Sequence, residues 1–363
     1  MQTTEGDARP DIPRRRKLAE RNPRSLTLKD VAAAAGVDPS VVSRVANADP
    51  ALNISAATRA RVIQAIEDLG YRTNQAARNL RLSRNFTLGL LLPDVSNPVY
   101  GPIVRGVMQT SEEKGYAVVL GSQFGSSGAL RSFAELLDDG RVEGMLVATG
   151  TADDADVERE LMKDERIVLV NRRSRGASAS AFVDDVSGSA LATQHLIELG
   201  HRRIGHLAGP SRVETSARRS AGYAQALKDA GLGFSRSLVV EMSDWTAQAG
   251  YAAAKTLLAR TNRPTAIFVA NADAAIGAMR AANELQISVP GELSVIAFHD
   301  SELAGFLTPP LATVRMPLFE LGRAAAELLI DRIEGRPVPL EVRIEGLGEL
   351  HARGSTAPPA TSQ

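Results

Sequence analysis

Apolar runs in this 363-residue chain recur at a nearly fixed interval. Strand ends are expected at positions 93, 121 and 148, which are 28 and 27 residues apart, and again at 242, 270 and 298, each 28 apart. That interval is the length of one strand-helix-strand unit, repeated in two halves. The runs are TLGLLLP (87–93), AVVLG (117–121), GMLVAT (144–149), IVLV (167–170), RIGHLAG (203–209), LVVEM (238–242), AIFVA (266–270) and SVIAF (294–298). Amphipathic helical runs lie between most of them. Uninterrupted apolar strands belong to parallel sheets covered by helices on both faces. Two such sheets imply an α/β core of two lobes with a cleft between them. Lobe 1 is expected over 86–187 and 318–345, and lobe 2 over 188–317. Ligands of open α/β sheets sit beyond the carboxyl ends of the strands, so residues just after each strand are the candidates for a site.

The front of the chain follows another pattern. Thr27 to Asn47, TLKDVAAAAGVDPSVVSRVAN, reads as two short helices joined by a tight turn. Thr27 can cap the first, with Asp30 completing a capping box, and Gly36 fits the left-handed position that ends it. Asp38 caps the second and Pro39 takes its first position, where a missing N–H costs nothing. Val31, Val42 and Val45 turn the two apolar faces together, which leaves Ser40, Val41, Ser43, Arg44 and Asn47 on an exposed face. A third helix opens at Ser55, with Val62, Ile66 and Leu69 at helical spacing and Gly70 as its stop. This all-α unit, placed at 26–72, has the form of a helix-turn-helix headpiece whose second helix lies in the DNA major groove. Standing alone, the same pattern fits an ordinary helix pair in a larger core.

Charge separates the two regions. Residues 1–85 carry 15 Lys/Arg against 9 Asp/Glu, and the remainder carries 27 against 33, so the balanced total of 42 and 42 hides a basic front and an acidic body. That asymmetry suits a DNA reader joined to a ligand-binding body. The first 24 residues, with RRRK at 14–17, read as a disordered basic tail rather than a secretory signal. Residues 73–85 form a basic linker in which Asn74 can cap a short helix, with Leu80 on its apolar side and Arg78, Arg81 and Arg84 on the other. Such a helix is marginal alone and can fold on meeting DNA. With no cysteine there is no disulfide framework and no zinc-thiolate site. No apolar run reaches the ~18 residues of a membrane span. Residues 347–363 read as a flexible tail.

The ordered set of stretches TLKDVAAAAGVDPSVVSRVAN, NQAARNL, LGLLLPDVSNPVY, HLIELGHRRIGHLAGP, RPTAIFVAN, GELSVIAFHD and LTPPLATVRMP resembles the LacI/GalR family of bacterial transcriptional regulators, over about 26 to 355. The resemblance implies a headpiece, a hinge helix that folds on DNA, and a two-lobed core like that of periplasmic sugar-binding proteins. It implies a homodimer on a pseudo-palindromic operator, and a small-molecule effector between the lobes that sets operator affinity. By position it turns Ser40, Val41 and Arg44 toward base edges, with Arg44 set for a guanine. Thr27, Ser43, Asn47, Tyr71 and Asn74 join the DNA contacts, mostly to phosphates, and Leu80 becomes the minor-groove wedge. The effector contacts implied are Asp94, Tyr100, Asn171 and Arg172 from lobe 1, and Arg219, Trp245, Asn271, His299 and Asp300 from lobe 2. Trp245, the only tryptophan, offers a flat face to a sugar or purine ring.

The chain departs from the family pattern in places. Val41 stands where threonine is usual, and Thr73 where the hinge often has proline. His299 and Asn171 stand where aspartate is frequent, and Ala272 precedes Asp273 where the aspartate usually follows Asn271 directly. Fewer carboxylates favour a less hydroxylated or more anionic ligand than a neutral sugar. The expected function is a cytoplasmic, nucleoid-associated regulator, a repressor, with no cofactor, metal or membrane partner. A solute-binding protein of a transport system is the alternative that the core alone would suit. An enzyme is not expected, because no nucleophile and base, phosphate-cradling loop or metal cluster is organised, and the five histidines are scattered.

Overall fold

A computed structural model describes residues 26–46, 49, 51–71, 84–123, 128–148, 163–173, 178–346 and 348–360. The chain divides into two compact units, Met1–Leu82 and Ser83–Gln363.

Among the described residues the first unit holds three helices, α1 (Leu28–Ala35), α2 (Pro39–Ala46) and α3 (Ala56–Asp68). Their ends follow from local chemistry. The Thr27 backbone N–H and hydroxyl both donate to Asp30 Oδ2, at 2.8 and 2.7 Å. Gly36 closes α1 at φ 63°, a conformation only glycine adopts without strain. The Ser40 amide donates to Asp38 Oδ1 at 2.8 Å, and the Thr58 amide to Ser55 Oγ at 3.1 Å. Val31, Val42 and Val62 are wholly buried and form the small common core. Val41 is half-buried against that core, not on a fully exposed face. The linker residues Asn74 and Leu80, with Asn47, lie outside the described residues.

The second unit is two lobes, each a six-stranded sheet. Lobe 1 contains β1 (Thr87–Leu92), β2 (Ala117–Ser122), β3 (Gly144–Val147), β4 (Ile167–Val170), β5 (Ala179–Phe182) and β11 (Glu341–Arg343). Its strand order is β11-β5-β4-β3-β1-β2, all parallel. Lobe 2 contains β6 (Ile204–Ala208), β7 (Val239–Glu241), β8 (Ala266–Val269), β9 (Ser294–Phe298), β10 (Ala312–Arg315) and β12 (Glu349–His351). Its order, β12-β10-β9-β8-β6-β7, repeats that of lobe 1, except that β12 runs antiparallel to β10.

Helices α4 (Tyr100–Glu113), α5 (Ala129–Asp138) and α10 (Leu318–Ile333) cover lobe 1. Helices α6 (Asp185–Glu198), α7 (Glu214–Asp229), α8 (Ala247–Leu258) and α9 (Ala272–Glu284) cover lobe 2. The helix after the first strand of each lobe packs by the same device. A Cβ at Gly106 of α4 would lie 2.2 Å from the Phe319 carbonyl, and one at Gly222 of α7 2.2 Å from that of Val186. Only glycine admits backbones so close.

The chain crosses between lobes three times, after β5, after β10 and after β11. The last crossing corrects the expectation of a flexible tail. β12 adds an edge to lobe 2, and Ser355 beyond it is wholly buried. Ser355 Oγ donates to the Val295 carbonyl at 2.6 Å and accepts from the Ala312 amide at 2.7 Å. The residues are polar and rich in alanine and proline, but they satisfy backbone groups that β9 and β10 leave open. At the entry to lobe 1, Glu143 receives Arg84 Nη2 at 2.8 Å and the amides of Asn85 and Phe86 at 2.7 and 2.9 Å. Burial opposes its charge, yet the bonds from Arg84 and these amides hold its carboxyl below the usual range.

Candidate functional site

The cleft is built from the carboxyl ends of both sheets. In lobe 1, Asp94 follows β1 and its Oδ1 accepts from the Ser96 amide and hydroxyl at 2.8 and 2.7 Å, which shapes the turn into α4. Tyr100 is the first residue of that helix. Asn171 follows β4 with φ 58°, and Arg172 comes next. In lobe 2, His299 follows β9 with φ 65°. β4 and β9 occupy the same position in their sheets, so the two lobes place a left-handed residue at equivalent points. Such backbone is uncommon outside glycine and is kept where the surroundings hold it.

Arg219, on α7, is the hub. It is 4% exposed, so each N–H needs a partner. Its Nε donates to Asp185 Oδ1, Nη1 to the Ala270 carbonyl and Nη2 to His299 Nε2, each at 2.8 Å. The guanidinium carbon sits 4.5 Å from the ring centre of Phe298 and 5.2 Å from that of Trp245. Asp185 is wholly buried and is shared with Arg218, which also bonds Glu214. This cluster begins at the first residue of α6, immediately after the first crossing.

Trp245 lies over Gly209, where a Cβ would come within 2.2 Å of the indole. Asn271 fixes it from the other side, with Nδ2 donating to the Trp245 carbonyl at 2.8 Å while Oδ1 accepts the Ala274 amide at 3.3 Å. Asn271 thus caps α9 and orients Trp245. Asp300 is engaged within lobe 2. Its oxygens take Arg353 at 2.8 and 3.1 Å, Thr313 Oγ1 at 2.7 Å and His351 Nδ1 at 3.0 Å. The arginine fork that occupies it comes from the segment expected to be a tail.

Electrostatics join the two lobes. Burial, and then the nearby Asp94 charge, push the Tyr100 phenol up to about 12, while Arg219 of the opposite lobe pulls it down. Burial first, then Asp94, raises the carboxyl of Asp273 on α9. Burial and then Arg219 hold His299 well below the ordinary imidazole range. Asp94, Tyr100, Arg219, Asp273 and His299 therefore share one neighbourhood. Asp185, Arg218 and Asp273 were not among the expected residues. The pair Asp184-Asp185 right after a strand was the available signal, but β5, ASAF, is too poor in large apolar residues to announce itself.

In the headpiece Ser40 and Arg44 are exposed on α2, Ser43 is half-buried, Thr27 is exposed before α1 and Tyr71 packs partly on the core. Among the described residues no group of three or more His, Asp or Glu is placed to hold a metal ion, and no helix is long and apolar enough to cross a membrane.

Comparison with known proteins falls along the same division. Residues 27–74 match the family model described as bacterial regulatory proteins, lacI family, and residues 193–356 match the periplasmic binding protein-like domain. The chain is 36% identical over 334 residues to the ribose operon repressor of Escherichia coli (strain K12), covering 91% of this chain and 99% of that protein. It is 36% identical over 340 residues to the HTH-type transcriptional regulator MalR of Streptomyces coelicolor (strain ATCC BAA-471 / A3(2) / M145), covering 91% and 96%. Among solved structures, the lac repressor dimer bound to operator and the anti-inducer ONPF aligns at TM-score 0.78 with 27% identity, covering 92% of this chain and all of that one. These relatives are regulators, which disfavours the transport alternative.

Proposed function

The chain belongs to the lacI family of bacterial transcriptional regulators, and from that premise we propose that it represses transcription as a homodimer on a pseudo-palindromic operator, its affinity set by a small molecule held between the lobes. The molecule is a sugar, sugar derivative or nucleoside-like metabolite. Arg44 contacts a guanine, Ser40 and Val41 lie along neighbouring base edges, and Thr27, Ser43, Asn47, Tyr71 and Asn74 hold register on phosphates. Leu80 wedges the minor groove at the operator centre beside its two-fold mate. The protein acts in the cytoplasm, on DNA, and turns over nothing.

One observation supports the effector site most. Arg219 of lobe 2 is close enough to act on the Tyr100 phenol of lobe 1. A ligand reaching both favours one lobe arrangement over another, and that difference in affinity is what shifts an equilibrium. Arg219 also grips Asp185, just past a crossing, so a ligand that draws on Arg219 acts directly on the hinge.

Footprinting of the purified protein on its own upstream region, at fixed salt and against scrambled competitor, tests the reading, since phosphate contacts make affinity steeply salt-dependent. Protection of a pseudo-palindrome that changes when a bound metabolite is added is the expected result. Uniform binding to all DNA, unchanged by metabolite pools, would overturn it.

A further inference from the structure

Glu143 gathers more donors than the start of a strand requires. Its side chain is 12% exposed. Oε2 accepts Arg84 Nε at 3.1 Å and Nη2 at 2.8 Å, and Oε1 accepts the amides of Asn85 and Phe86. Arg84 Nη2 also donates to the Tyr116 hydroxyl, and its guanidinium carbon lies 4.7 Å from the ring centre of Phe86 and 5.7 Å from that of Tyr116. Asn85 is fastened on its own account, with Nδ2 donating to the Gly140 carbonyl and Oδ1 accepting the Thr87 amide at 3.0 Å. Phe86 takes φ 51°, a backbone conformation that a bulky side chain adopts only under strain.

The sheet does not require this arrangement. The ladders of β1 begin at Thr87 with β2 and at Leu88 with β3, after the three fastened residues. Phe86 adds one bond, its carbonyl accepting the Ala117 amide at 2.8 Å. Taking a carboxylate and a guanidinium out of water and straining Phe86 all cost free energy, and what they secure is one fixed direction of entry into lobe 1. The chain just upstream is the basic linker. The sequence assigns Arg84 to the basic side of that linker, and the structure ties it to Glu143 instead. β3 runs parallel to its neighbours, so Glu143, which precedes it, lies at the amino end of the sheet, opposite the carboxyl ends that build the cleft.

We propose that Glu143 and Arg84 are positioning residues for operator binding, an anchor that holds the lobe 1 end of the linker still. This rests on the reading of the chain as a regulator whose linker folds on the operator. A segment that folds on its target gives up conformational entropy, and one with an end already fixed has less to give up. The pair acts through the linker and touches neither DNA nor effector. The rival reading makes Arg84 a phosphate contact that Glu143 restrains, and the two differ in sign. Loss of Glu143 weakens operator binding if the pair is an anchor and strengthens it if Arg84 is merely held back.

The full-length protein is titrated with the operator that footprinting defines and with a scrambled duplex, over a salt series. Glu143→Gln and Arg84→Ala are each expected to weaken operator binding by about tenfold or more, because freeing a residue at each linker adds an ordering entropy of that size. The double variant is expected to weaken it no further, since both changes break one anchor. Affinity for the scrambled duplex and the salt slope stay unchanged, a pattern that general loss of stability does not give. Urea midpoints accompany each variant. Arg84, with its side chain 33% exposed, is the milder change and carries the test should Glu143→Gln fail to fold. Tighter binding of both duplexes by Glu143→Gln, or a salt slope lowered by about one per subunit in Arg84→Ala, would make Arg84 a phosphate contact and overturn the anchor. Operator affinity equal to that of the native protein in folded Arg84→Ala overturns it too and leaves the regulator standing. A native protein that prefers no operator overturns the regulator, and the anchor with it.

Discussion

Arg44 Nε, in the last turn of α2, donates to Asp49 Oδ2 at 2.7 Å. The side chain proposed to read a guanine is thus held at the end of the recognition helix before DNA arrives, and it exchanges a carboxylate for a base edge on binding. Both groups are partly exposed, so the pair itself adds little to folding. Arg44→Ala is expected to cut preference for operator over competitor by about 1–3 kcal/mol, the worth of one bidentate base contact. Asp49→Ala is expected to raise affinity for operator and competitor together, because it removes a negative charge near phosphates. Competition binding at fixed salt reads both. Equal weakening on all sequences by Arg44→Ala would make that residue a phosphate contact.

Asp185 has a different standing, because it is wholly buried and answers two arginines. Removing one partner of a buried ion pair typically costs about 3–5 kcal/mol, since the remaining charge stays desolvated. Asp185→Ala is expected to lose that order of stability in urea, read by Trp245 fluorescence, the lone tryptophan being in lobe 2. Adding Arg219→Leu is expected to recover part of it. A loss below about 1 kcal/mol from the single change would show that water reaches the cluster and screens it.

The architecture was legible where apolar runs are long. All eight strand-like runs are strands; six of them, β1, β3, β4, β6, β8 and β9, are buried along almost their whole length, which parallel sheet covered on both faces writes in apolar residues, while the edge strands β2 and β7 are partly exposed. The four strands not anticipated, β5, β10, β11 and β12, are short and carry alanine, serine or charged residues, so tertiary packing defines them and local composition does not. The same holds within the site. Tyr100, Arg219, Trp245 and His299 lie beside one another because strand ends converge. The engagement of Asp300 was hidden, since Arg353 stands 53 residues away in a segment with no apolar pattern. Val41 is half-buried because it packs against the headpiece core, which its spacing on α2 alone does not announce.

Ser355 gives the C-terminal strap a direct test. Its hydroxyl serves the Val295 carbonyl and the Ala312 amide, both within the lobe 2 sheet. Ser355→Ala leaves these groups buried and unmet, at a cost of about 1–3 kcal/mol. The expected signature is a lower urea midpoint by Trp245 fluorescence with the headpiece transition unmoved. Truncation after Gly346 is expected to cost more, since it removes β12 and the Arg353 fork as well. A truncated protein as stable as the full chain would mean that the strap contributes nothing to the lobe.

Acid is expected to weaken lobe 2 through His206 on β6. The ring is wholly buried, 4.9 Å from both Tyr223 and Phe268, and its Nδ1–H donates to the Phe268 carbonyl at 3.0 Å. Burial above all pushes its pKa from 6.5 down to about 4, with the Arg219 charge adding to the shift. The unfolded chain binds this proton near the ordinary value and the folded protein resists it. Its contribution to stability is therefore complete above about pH 6.5, falls as pH drops toward about 4, and is constant below, a total of roughly 3 kcal/mol for a depression from 6.5 to about 4. Urea midpoints at about pH 7.5 and about pH 5 should diverge in the native protein. His206→Phe lowers stability at both by losing the Phe268 bond, but should flatten the difference between them. Should the variant keep the full pH dependence, the acid sensitivity arises elsewhere, with His299 the next group to examine, since burial and then the Arg219 charge hold it well below 6.5 and its contribution also falls as pH drops below that value.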